Sequence, residues 1–197
     1  MSDARWDSLF EDLENQFASE RELEAGALAG EAERARIAAL SLRDRLSALT
    51  PDTRVVIRDA AGESHRLILR AAGSDWIAGV DEDSAGIVVL RVDAIDEVRI
   101  PPAARAVSLA GHTPDPLRSR MGIGFVLRLL ARRRAASTLG TVRGGRYTGT
   151  LSNAAGDHVD IALHDAGSAV NASREEATVA IRAIAWIRTT DRSVIEL

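Results

Sequence analysis

Apolar residues follow two rhythms along this chain. Between residues 4 and 49 they recur every three or four positions, and from residue 54 onward they alternate or gather in short runs. The first rhythm predicts helix, the second predicts strands. Trp6, Phe10, Leu13 and Phe17 fall on one helical face. Leu28, Ala32, Ala35, Ala39, Leu42, Leu46 and Leu49 form a second stripe, whose small residues would admit a neighbouring helix. Gly26 and Gly30 lie between the stripes. Each costs about 1 kcal/mol against Ala, so the pattern allows one long helix or two with a bend there. Thr50-Pro51-Asp52 stops it.

Five strand-like runs come next, Arg54–Arg58, His65–Ala71, Trp76–Val80, Ile87–Val92 and Asp96–Ile100, with turns at Asp59–Gly62 and Gly73-Ser74-Asp75. Pro101-Pro102 closes the set. A linker is expected over 103–116, where Gly111, Pro114 and Pro116 surround His112. Residues 117–136 read as a basic helix. Ile123, Val126, Leu127 and Leu130 share one face, and Met121, Phe125 and Leu129 another, which fits burial better than a membrane surface. A second strand set follows: Leu139–Arg143, a Gly144-Gly145 hairpin, Arg146–Leu151, His158–Leu163, a loop near 165–176, Ala177–Ile181 and Ala185–Arg188. The stretch V-D-A-I-D-E-V-R-I at 92–100 is answered by I-R-A-I-A-W-I-R-T at 181–189.

The expected fold is therefore α+β. A long N-terminal helical segment (1–49) precedes two small five-stranded closed barrels (50–102 and 137–197), joined by a linker (103–116) and the basic helix (117–136). G-x-x-x-x-L-x-L at Gly62–Leu69, G-x-Y-x-G-x-L at Gly145–Leu151 and V-D-A-I-D-E-V resemble strands of the Sm-like small barrel. SH3-like or PRC-type barrels would leave a similar trace. The whole chain also resembles a group of uncharacterised actinobacterial proteins that open with W-D-x-L-F-x-D-L-E, here Trp6–Glu14. RNA-binding Sm proteins carry an Asn after the Asp of the third strand's turn. Here Trp76 follows Asp75, and His158 follows Asp157. Ala94-Ile95 and Ala183-Ile184 replace the usual signature between the last two strands. The resemblance thus implies the fold without the RNA pocket.

Composition narrows the chemistry. Cysteine is absent, which excludes disulfides, thiolate metal sites and a cysteine nucleophile. The first residues lack the apolar core of a secretion signal, and no run is long enough to span a bilayer, so a cytoplasmic protein is expected. All 25 basic residues are Arg. Residues 1–50 hold eleven acids against six Arg, whereas 118–146 hold eight Arg and no acid.

No Ser-His-Asp grouping, phosphate loop or cofactor motif stands out. His158 and His164 could share a strand face near Asp160, and the expectation is that they face solvent. Asp75 and Asp157 are expected to satisfy turn backbone. No catalytic, cofactor or metal residue is assigned. The expected function is non-enzymatic: an interaction, scaffold or regulatory protein. It would bind a protein partner, or itself, through Trp6, Phe10, Leu13 and Phe17. The alternative is an RNA- or DNA-binding regulator using Arg118, Arg120, Arg128, Arg132, Arg133, Arg134, Arg143 and Arg146 against phosphates. The acidic pI of about 5.6 and the scarcity of stacking aromatics weigh against it.

Overall fold

Alanine, leucine, glutamate and arginine carry the first element, α1, over Asp3–Ala38. A computed structural model describes residues 3–49, 51–111, 115–164 and 175–196, with side chains described from residue 16 onward except Ala18. His112 and most of the loop expected near 165–176 lie outside these. The chain divides into two compact units, Met1–Leu40 and Ser41–Leu197. α1 runs unbroken through Gly26 and Gly30. The break falls instead at Ala39-Leu40, because Ser41 starts a new helix, α2 (Leu42–Ser47). Ser41 Oγ accepts from the Asp44 N–H at 3.1 Å, and the Asp44 carboxylate accepts from the Ser41 N–H at 3.4 Å. Two N–H groups that a helix start leaves free are satisfied this way, whereas a lone glycine only weakens a helix.

The second unit is built on one sheet. Its strands are β1 (Arg54–Asp59), β2 (Ser64–Ala72), β3 (Trp76–Asp81), β4 (Ile87–Arg91), β5 (Ile95–Arg99), β6 (Ala136–Thr141), β7 (Arg146–Ala154), β8 (His158–Leu163), β9 (Glu176–Ala180) and β10 (Ile184–Thr189). They lie in the order β5-β1-β2-β3-β4-β10-β6-β7-β8-β9, all neighbours antiparallel. A 3₁₀ turn precedes β5 (Val92–Ala94) and another precedes β10 (Ile181–Ala183).

This overturns the expectation of two closed five-stranded barrels, Sm-like or otherwise. The ten strands form one open sheet, and the join is β4 against β10, with Leu90 opposite Trp186 and Val89 opposite Ile187. The reason lies in β4 itself. Ile87, Val88, Val89 and Leu90 are all buried, so the strand has no polar face. Such a strand is unsuited to a solvated edge. In β10, Ile184–Ile187 have the same character, and the two strands complete each other.

Successive residues of β4 serve opposite faces. Ile87 and Val89 join a core with Ile123, Val126, Leu127 and Leu130 from α4 (Ile123–Arg132). Val88 and Leu90 join a second core with Leu46, Leu49, Val55, Ile57 and Trp186.

The segment expected as a linker holds a helix, α3 (Pro102–Leu109). The proline pair that was expected to end the barrel starts this helix, since a first-turn proline has no N–H to satisfy. Residues 117–136 are less helical than their apolar pattern suggests. A 3₁₀ turn at Arg118–Arg120 precedes α4, and Ala136 already belongs to β6. Among the described residues no helix is long and apolar enough to cross a membrane.

Candidate functional site

The turn between β1 and β2 concentrates the polar chemistry of the sheet unit. Asp59 ends β1, and Gly62, at φ +84°, lets the chain reverse. Asp59 Oδ1 accepts from the N–H groups of Ala61 at 3.0 Å and Glu63 at 2.9 Å. Its Oδ2 lies 3.2 Å from His65 Nε2. Both side chains are fully enclosed, with 0% exposure each. A buried carboxylate is costly unless donors surround it, and three N–H groups do so here when the imidazole carries its proton on Nε2. His65 Nδ1 has no hydrogen-bond partner.

Around this pair stands a ring of charge. His65 meets Trp186 edge-on, with centroids 5.6 Å apart and planes at 65°. Arg188 and Arg146 lie over the Trp186 ring at 5.0 and 5.4 Å, within cation–π range. Arg146 donates to Glu63 Oε2 at 2.7 Å. Arg188 lies 3.8 Å from Glu63 Oε1 and 3.5 Å from Asp81 Oδ2. Asp81 also accepts from Ser84 Oγ at 2.6 Å. Residues of β1, β2, β3, β7 and β10 thus meet in one cluster that spans the β4–β10 join. Among the described residues, Asp59, Glu63 and His65 are the one group of three or more His, Asp or Glu side chains close enough to share an ion.

The sequence alone does not announce this cluster. The spacing Asp59, Glu63, His65 was visible, but the turn's closure and the arrival of Trp186 from the far end of the chain were not.

The histidines that were singled out do not converge. His158 Nδ1 lies 2.7 Å from Asp157 Oδ1, and His164 Nε2 lies 2.9 Å from Thr150 Oγ1. Asp160 accepts instead from Thr178 Oγ1 at 2.7 Å and Asn153 at 3.3 Å. The Asp75 carboxylate serves the start of a helix rather than the backbone of its own turn. Its Oδ1 accepts from the Ile123 N–H at 2.7 Å and so caps α4. The His158 contact holds the Asp157 carboxyl below its ordinary pKa.

The eight arginines separate into groups. Arg128, Arg132, Arg133 and Arg134 sit on α4 and the turn after it, ahead of β6, whereas Arg143 and Arg146 sit at the opposite end of β6. Six strand residues put roughly 20 Å between the two groups. Arg118 lies 3.8 Å from Asp115, and Arg133 lies 3.9 Å from Asp191. Arg146 is already bonded to Glu63. Arg143 joins Thr141, Tyr147 and Arg182 in lining an open groove of about 630 Å³.

On α1 the side chains of Trp6, Phe10 and Leu13 lie outside those described. Phe17 is 57% exposed, Leu23 75% and Leu28 67%, and no described side chain of α1 is buried.

No protein-family model, curated protein or solved structure matches this chain.

Proposed function

We propose that this is a non-enzymatic interaction or scaffold protein that engages its protein partner through α1. The observation that carries the reading is a helix of 36 residues whose described side chains, Phe17, Leu23 and Leu28 among them, stand in solvent. Helices in proteins draw most of their stability from packing an apolar face. Phe17 and Leu28, about three turns apart, fall on one face of α1, and apolar side chains exposed along one face mark a surface for a partner to cover. The spacing of Trp6, Phe10, Leu13 and Phe17 extends that surface toward the N-terminus. Residues 3–38 carry ten acids and four Arg, so a partner with an apolar strip flanked by basic side chains fits better than a uniformly acidic one.

The test compares three proteins: the intact chain, residues 41–197, and the intact chain with Phe17, Leu23 and Leu28 changed to Ser. Light scattering gives the mass of each. A larger oligomer formed by the intact chain alone identifies a second copy as the partner. If all three are monomeric, affinity capture from the source cell is compared between the intact chain and the Ser variant. Identical prey for both would end the proposal.

Nucleic-acid binding has less support, because its arginines do not form one track and three of them already face acids. A salt titration on labelled RNA and DNA checks it. Binding that weakens steeply with salt and is lost on Arg143→Ala would revive it.

A further inference from the structure

We propose that Asp59, Glu63 and His65 form a binding site for a first-row divalent transition-metal ion of the Zn²⁺ type. One donor atom from each residue lies within 4.8 Å of the other two. Two donors held about 2.1 Å from one ion, at an angle near tetrahedral, stand roughly 3.2–3.4 Å apart. His65 Nε2 and Asp59 Oδ2 are 3.2 Å apart. Asp59 is aimed in advance: two backbone N–H groups hold Oδ1, which leaves Oδ2 directed at the imidazole. The same turn carries Glu63 back over the pair.

The second observation is the state of His65. The ring is fully enclosed, its Nδ1 has no partner, and its one hydrogen-bonding contact is the carboxylate inside the trio. Buried polar groups that serve packing alone are nearly always satisfied. Because Nδ1 bonds nothing, no partner fixes the ring proton on Nε2, and that proton can move to Nδ1 when an ion takes Nε2.

The donor set chooses the ion. One imidazole nitrogen, two carboxylate oxygens and no thiolate suit a borderline divalent ion better than Ca²⁺ or Mg²⁺, which favour all-oxygen shells. Two carboxylates balance its charge. Glu63, with 24% of its side chain exposed, is the one member of the trio open to solvent and the way in. Arg146 and Arg188 hold Glu63 when no ion is bound. The ion and the guanidiniums therefore compete for one carboxylate, and removing Arg146 should strengthen ion binding.

The experiment titrates Zn²⁺ into the chelator-stripped full chain by calorimetry near neutral pH. One equivalent is expected to bind. Glu63→Gln should weaken binding by roughly tenfold or more, and Arg146→Gln should tighten it severalfold. Both substitutions fall on partly exposed side chains, so circular dichroism should show an unchanged fold. His65→Ala should abolish binding, but it empties a core position, so Glu63→Gln is the deciding variant. The absence of saturable binding would overturn the proposal, as would binding that Glu63→Gln leaves intact. The trio would then be a closed structural ion pair.

Discussion

Gly140 shows how far one missing methyl can decide a neighbour's place. Trp186 lies so close over this glycine that a Cβ there would stand 2.0 Å from the indole Cε2. The indole is 1% exposed and has no room to retreat. Gly140→Ala should therefore cost about 3 kcal/mol, the upper part of the usual overpacking range, read as a lower urea midpoint. Ser41 and Asp44 give a smaller effect with a pH signature. The Ser41 hydroxyl holds the Asp44 carboxyl below its ordinary pKa, against some burial, with the Ser41 N–H and Arg43 adding to the pull. A lowered carboxylate pKa stabilises the fold above the unfolded-state value, and this is lost as pH falls through the folded-state value. Ser41→Ala should cost about 1 kcal/mol at neutral pH. The deficit should shrink below the ordinary carboxylate range, measured as urea midpoints across pH.

Elements differ in how plainly the sequence announces them. The stripe Trp6, Phe10, Leu13, Phe17 marks α1, and alternation marks β1 and β2, where Val55, Ile57, Leu67 and Leu69 are buried and their neighbours are less so. Those patterns are local, so spacing is enough to read them. The start of α4 is not local. Its apolar pattern extends back to Met121, yet the helix begins at Ile123, because the Asp75 carboxylate receives the Ile123 N–H from 48 residues away. Asp75→Ala should free that N–H and cost about 1 kcal/mol, the ordinary worth of a helix cap. Hydrogen exchange should show faster exchange at Ile123, with amides in β1 unchanged. The candidate site was equally hidden. Asp59, Glu63 and His65 are close in sequence, but the Trp186 edge and the two guanidiniums that complete the cluster come from strands beyond the β4–β10 join.

At the scale of the molecule, that join decides what counts as a folding unit. Residues 50–102 look self-sufficient in sequence: five strands, turns at even spacing and a closing proline pair. Yet β4 is apolar on both faces, and one of those faces is covered by α4 and the other by a core that includes Trp186. A fragment ending at residue 111 would expose the β4 edge, with its unpaired N–H and C=O groups, together with Ile87 and Val89. An edge of that kind is a template for aggregation. Residues 41–111 should therefore fail to fold as a soluble monomer, whereas residues 41–197 should fold with one cooperative transition and slow amide exchange in β4 and β10. Size-exclusion chromatography and thermal unfolding of both fragments test this. A soluble 41–111 fragment with its own sharp transition would mean that the first five strands close without the rest, and the continuous sheet would no longer describe how the stability of this protein is organised.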